Sequence, residues 1–292
     1  MISSRKRLAW RALPREAGRR DGFDWRGALC SVAMLAGLFI GLDGVGHGAP
    51  AWQVATWLSV SLLSAVLFLQ RQRRARHPLL PLSLFAERRF TLAVTASGLA
   101  FVGQGLAFVA LSFLYQQEMG FTPLETAWMF TPWPLAIMLV GPVAGQLADK
   151  VNPSLLSSAG LVVLLLGFAA LAGLQADAGV LDSLWRTALC GLGFGLFQPP
   201  NNREMMASVP EARSARASGV MSTTRTVGQA LGVALVGGFL ASGAPVQATL
   251  WAGAGACVLS LAASVGRISS AGRAQHRARR AAPRQRASSQ RD

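Results

Sequence analysis

The chain has 292 residues, of which 52% are hydrophobic and only 14% charged, against about a quarter charged in an ordinary soluble domain. Its 28 Lys and Arg against 13 Asp and Glu give a net charge of +15, and the mean hydropathy is +0.39. This composition argues against a water-soluble globule. The cations lie between apolar blocks and at the two ends, which argues against nucleic acid as a partner and for the lipid bilayer.

In chain order, residues 1–23 form a basic segment carrying Arg5, Lys6, Arg7, Arg11, Arg15, Arg19 and Arg20. Arg19-Arg20 lacks the rest of a twin-arginine signal, and Leu29-Cys30 does not suit a lipoprotein cleavage site. Eight apolar runs follow, at 25–42, 51–69, 90–115, 124–147, 155–174, 181–199, 219–241 and 245–265. Each is near the ~20 residues that a helix needs to cross a bilayer. Backbone amides cannot go unpaired in lipid, so each run is predicted as a helix; the missing period-two alternation argues against a membrane β-barrel. Cys30, Cys190 and Cys257 each fall inside a run, too scattered for a metal site or a disulfide framework, and read as free buried thiols.

The connections alternate in charge. Arg71, Arg73, Arg74, Arg76, Arg88 and Arg89 follow the second run, Lys150 the fourth, Arg203, Arg213 and Arg216 the sixth, and Arg267, Arg273, Arg277, Arg279, Arg280, Arg284, Arg286 and Arg291 the eighth. The connections near 43–50, 116–123, 175–180 and 242–244 hold no Lys or Arg. Positive loops stay in the cytoplasm, so the pattern predicts a multi-pass protein of the cell (inner or plasma) membrane with both termini cytoplasmic. It divides the chain into the basic segment 1–23, a helix pair at 24–70, a basic connector at 71–89, a six-helix block at 90–266 and a basic tail at 267–292. The composition of that tail suggests disorder near anionic lipid.

The turn closing the fourth run reads Gly141-Pro142-Val143-Ala144-Gly145-Gln146-Leu147-Ala148-Asp149-Lys150. Gly145 allows close helix approach, and Asp149 suits a cation partner or the cap of the next helix. Gly145, Leu147, Ala148, Asp149 and Lys150 resemble the signature cytoplasmic turn of the major facilitator superfamily, without its later glycine and basic residues. Phe23-Asp24-Trp25-Arg26-Gly27-Ala28-Leu29 resembles the entry to the extra helix pair of the fourteen-helix drug:proton antiporters in that family. The connector His77-Pro78-Leu79-Leu80-Pro81-Leu82-Ser83-Leu84-Phe85 with Arg88-Arg89-Phe90 is similar to the segment after that pair. Ala217-Ser218-Gly219 through Arg225, Gly228, Gly232 and Ala234 is similar to the family's penultimate helix. The resemblance implies an all-α integral membrane protein of eight transmembrane helices, a pair followed by a six-helix C-terminal bundle, with the family's first six helices not represented.

Several polar residues fall inside the runs. Arg225 has Ser222 and Gln229 on its helical stripe and reads either as a cavity or gating cation or as one that snorkels to the inner interface. Gln104 suits either substrate contact or a bond across helices. Gln198, with Pro199, Pro200, Asn201 and Asn202, reads as an inner gate or simply as a proline-terminated helix. Asp182 and Arg186, one turn apart, suit an ion pair at the outer rim. Glu125 reads as a helix-start carboxylate, with proton relay the alternative. Gly141/Gly145, Gly191/Gly195 and Gly228/Gly232 have the spacing that lets helices approach closely. His47 reads as a solvated loop residue, and Trp128 and Trp133 as interfacial belt or packing.

The resemblance implies a transporter that exports drugs or other small amphipathic molecules, with the proton as coupling ion and no cofactor, catalytic residue or metal. The chain would be a truncated or split C-terminal portion whose partners are the bilayer, a small-molecule substrate and either a separate N-terminal-half chain or a second copy. The alternatives are a non-transporting membrane scaffold or inactive fragment, and an integral-membrane enzyme. No HExxH, nucleophile elbow or CxxC motif supports the enzyme.

Overall fold

A computed structural model of the chain describes residues 24–46, 48–74, 82–175 and 177–288, with only the backbone described beyond Ile268. Residues 1–23, His47 and residues 75–81 of the basic connector, His77 among them, lie outside the described residues.

Among the described residues every regular element is helical. In order they are α1 (Trp25–Gly46), α2 (Ala51–Arg74), a 3₁₀ turn (Leu82–Ala86), α3 (Arg88–Phe113) ending in a π turn (Leu114–Glu118), α4 (Pro123–Phe130), α5 (Pro132–Leu147), α6 (Pro153–Ala172), α7 (Val180–Ala207), a 3₁₀ turn (Glu211–Arg213), α8 (Ser214–Ala241) and α9 (Val246–Ser288). α4 and α5 meet at Thr131 and together make the fourth predicted span, broken where Pro132 cannot donate to the preceding turn.

Among the described residues, five helical stretches are long and apolar enough to cross a membrane: Ala51–Arg74, Arg88–Glu118, Pro123–Leu147, Pro153–Ala172 and Val246–Ile268. α1 has a shorter apolar stretch, Trp25–Gly41. α7 and α8 have the length, 28 residues each, and carry polar side chains within it. Large apolar side chains such as Leu29, Leu62, Leu63, Met138, Leu139, Leu166 and Leu259 stand exposed on the outer faces of these helices. A water-soluble protein does not expose apolar area on this scale, and a bilayer covers it. The protein is an integral membrane protein of all-helical fold.

α1 and α2 form an antiparallel hairpin that leans on α8 through α1. Asp24 fastens it. Its Oδ1 accepts from the Gly27 backbone at 3.1 Å, capping α1, and from Arg71 Nε at 2.7 Å on α2. In the remaining helices α3 packs on α8 and α9, and α7 on α6 and α5. Their shared core holds Phe101, Leu111, Leu161, Phe168, Phe194 and Phe197. Trp133 is buried in it, edge-on to Phe108 and Phe168, whereas Trp128 is exposed.

Three sequence expectations change. α7 does not stop at its prolines but continues to Ala207, so the connection between the sixth and seventh predicted runs shrinks to the stretch around the second 3₁₀ turn. Asn201 and Glu204, just past the prolines, are anchored by neighbouring helices, which holds that last stretch helical. Nor does Gly145 make a close helix contact: nothing lies within 4 Å of the space that a Cβ would take there. Finally, the composition that suggested a disordered tail is also helix-favouring in its alanine and arginine, and α9 runs on to Ser288.

Candidate functional site

The site is built where α3 and α8 cross. A Cβ on Gly228 would stand 2.7 Å from the Gly98 carbonyl oxygen, and one on Gly105 or Gly232 would collide with the backbone of Gln229 or Val102. Only glycine permits this approach. It brings two amides together mid-helix: Gln229 Nε2 donates to Gln104 Oε1 at 2.9 Å. Gln104 is buried and Gln229 half-buried.

On α8, Ser222, Arg225, Thr226 and Gln229 recur three and four residues apart and share one face. Ser222, Arg225 and Thr226 are exposed. Arg225 lies eleven residues into the helix, about 16 Å along its axis. Its guanidinium sits over the Phe101 ring of α3, 5.5 Å from the centroid. Phe101 in turn meets Phe194 of α7 edge-on at 5.3 Å. Gln198, one turn beyond Phe194, is half-buried and makes no side-chain hydrogen bond among the described residues. The structure thus joins Gln104, Gln229 and Arg225 in one polar patch across α3 and α8, with Gln198 on the adjoining helix.

The turn after α5 is a separate site. Asp149 forms an ion pair with Arg203 of α7, both roughly half exposed. The cap of α6 comes from Asn152, whose side chain accepts from Ser154 N at 3.0 Å, and not from Asp149. Lys150 is exposed, and Leu147 and Gly145 lie on the outer surface of α5. At the other end of α7, Arg186 grips Asp182 with two hydrogen bonds, of 3.0 and 2.6 Å, and also donates to the Ala170 carbonyl of α6. Glu125 completes a capping box with Thr122 at the start of α4.

The sequence reading missed a buried polar cluster at the end of the bundle near Lys150. Arg267 of α9 is fully buried, although its sequence position placed it in the tail. Its guanidinium donates to Asn201 at 2.7 Å, to Ser264 at 2.5 Å and to Ser157 at 3.2 Å, and lies 3.5 Å from Glu204. Glu204 also accepts from Ser154 and stands 3.4 Å from Arg89. One cluster therefore ties α3, α6, α7 and α9. Two signals could have found it: Ser154, Ser157 and Ser158 share one stripe of an apolar helix, and Ser264 sits one turn before Arg267.

The family model of the Major Facilitator Superfamily matches residues 22–233. The chain belongs to the major facilitator superfamily. It is 37% identical over 231 residues to the uncharacterized transporter YebQ of Escherichia coli, covering 78% of this chain and 50% of that protein. It is 31% identical over 231 residues to the multidrug resistance protein Stp of Mycobacterium tuberculosis, covering 78% and 42%. To the multidrug efflux pump LfrA of Mycolicibacterium smegmatis it is 29% identical over 192 residues, covering 65% and 38%. The chain spans half or less of the length of these relatives. As a member of this superfamily it is a transporter-family protein and not an enzyme, and the crossing of α3 and α8 falls inside the matched residues.

Proposed function

We propose that this chain forms one wall of a carrier that exports drugs or other small amphipathic molecules in exchange for protons. The observation that carries the reading is the polar patch of Gln104, Arg225 and Gln229 in the middle of the crossing of α3 and α8. A cation and two amides at that depth are costly unless they face protein or a water-filled path. Carriers of this architecture bind substrate near the midplane between two six-helix halves, which rock about it. The patch would meet substrate there, and Gln198 would line the inner end of the path. The multidrug names of two relatives support the substrate class. The second wall would come from another six-helix half, on the same or another chain, or from a second copy.

The test is efflux of a fluorescent cationic dye such as ethidium from cells lacking their own exporters. Cells in which this chain is made alone and verified as a monomer should retain dye at the control rate. Co-expression with the first six helices of the Escherichia coli relative should lower retention, and Arg225→Gln or Gln229→Ala should abolish that gain. Efflux by this chain alone as a verified monomer sinks the two-wall proposal. Failure of every pairing at confirmed membrane levels favours a non-transporting scaffold.

A further inference from the structure

A chamber of about 840 Å³ lies between the α1–α2 hairpin and the α3–α8 pair. Its walls are apolar: Met34 and Leu35 from α1, Phe68 from α2, Val94 and Leu99 from α3, Val227 from α8. Among the described residues, Arg216 is the sole charged one in the lining. It is half-buried and has no ion pair or hydrogen bond with any described residue. Four other cations at that end are engaged: Arg213 with Ser83, Arg203 with Asp149, Arg89 with Glu204 and Arg71 with Asp24.

Along α8 the chamber runs from Arg216 to Leu231, about 22 Å at 1.5 Å per residue. One leaflet, headgroup zone included, is about 20–22 Å deep. An acyl chain seated in an apolar chamber of this size gains dispersion contacts with its walls, and a half-buried guanidinium without a partner among the described residues calls for an anion, phosphate above all. On α8 the chamber is lined by Thr223, Val227 and Leu231 and not by Arg225 or Gln229, so it is distinct from the export path proposed above. We propose that it holds one anionic phospholipid from the leaflet on the arginine-rich side, with an acyl chain between hairpin and bundle and the phosphate on Arg216. The lipid then fills the joint between the hairpin and α8.

Native mass spectrometry of the purified chain, delipidated and exposed to phosphatidylglycerol or to phosphatidylcholine of the same chains, tests this without any transport assay. One phosphatidylglycerol should be retained per chain, at least five-fold above phosphatidylcholine. Arg216→Gln should remove that preference, Arg216→Lys should keep most of it, and Arg203→Gln, whose partner is Asp149, should leave it unchanged. Val227→Trp, which fills the chamber, should cut retention of both lipids. Equal retention of the two lipids by the parent chain, unchanged preference in Arg216→Gln, or displacement of phosphatidylglycerol by ethidium would overturn the proposal. The parent-chain comparison decides even if a variant fails to fold.

Discussion

Arg267 and Glu204 show how much rests on single buried charges. Removing one partner of such a pair costs about 3–5 kcal/mol, because the other charge stays in a medium that cannot solvate it. Arg89 offsets part of that loss for Glu204. Arg267→Ala should therefore lower the unfolding temperature of the purified protein more than Glu204→Gln, which keeps a neutral hydrogen-bonding group; equal losses would mean the charge is immaterial. Gln229→Leu leaves the buried amide of Gln104 unpaired, a cost of about 1–3 kcal/mol. The double change with Gln104→Leu should regain much of that stability and still lose dye efflux; recovered efflux would reduce the pair to a packing bond. At the membrane edge, the hydrogen bond from Arg71 holds Asp24 below the usual carboxylate range, with its charge and the Gly27 backbone bond helping against burial. A carboxyl lowered on folding contributes above its unfolded value, about 3.9, and loses that contribution as pH falls through the lowered one. Cross-linking of α1 to α2 should weaken only in strong acid, and Asp24→Asn should abolish that dependence.

Between the elements, glycine geometry separates tolerated changes from costly ones. Gly145→Ala adds a methyl where nothing stands within 4 Å, and alanine is the better helix former by about 1 kcal/mol. It should unfold no earlier than the parent, whereas Gly232→Ala must push α3 and α8 apart and should unfold at lower temperature. The sequence shows three glycine pairs at equal spacing but not which of them meets a neighbour. Gly160, Gly167 and Gly193, which bring α6 against α7, fit no such spacing within one helix. Helix positions were legible because twenty apolar residues leave the backbone one satisfactory state. The turns were legible as breaks, since Gly120 and Gly243 hold φ of 72° and 71°, which other residues rarely adopt. The continuation of α7 past Pro199 and Pro200 was not, because it depends on Asn201 and Glu204 reaching partners on other helices. The buried cluster was hidden for the same reason: Arg267 looks like its tail neighbours until Ser157 and Asn201 are folded around it.

For the molecule as a whole, the alternation of arginine-rich and arginine-free connections predicts its orientation in the membrane. In a chain whose Cys30, Cys190 and Cys257 are replaced by alanine, a cysteine at Asp177 should react with an impermeant thiol reagent in intact cells. One at Lys150 should react only after the membrane is opened; the reverse would invert the topology. The six-helix block and the hairpin also differ in how they are held. The block closes on its own aromatic core, while the hairpin touches it along one side of α1 and leaves most of α2 exposed.

Pro199 and Pro200 leave the carbonyls of Gly195 and Leu196 without an intrahelical donor, so a bend there ruptures no backbone bond. The stretch beyond, ending at Ala207, can act as a lever pivoting on that weak joint. Because Asn201, Arg203 and Glu204 all ride on it, one small swing would tug the ends of α3, α6 and α9 and the turn at Asp149 together.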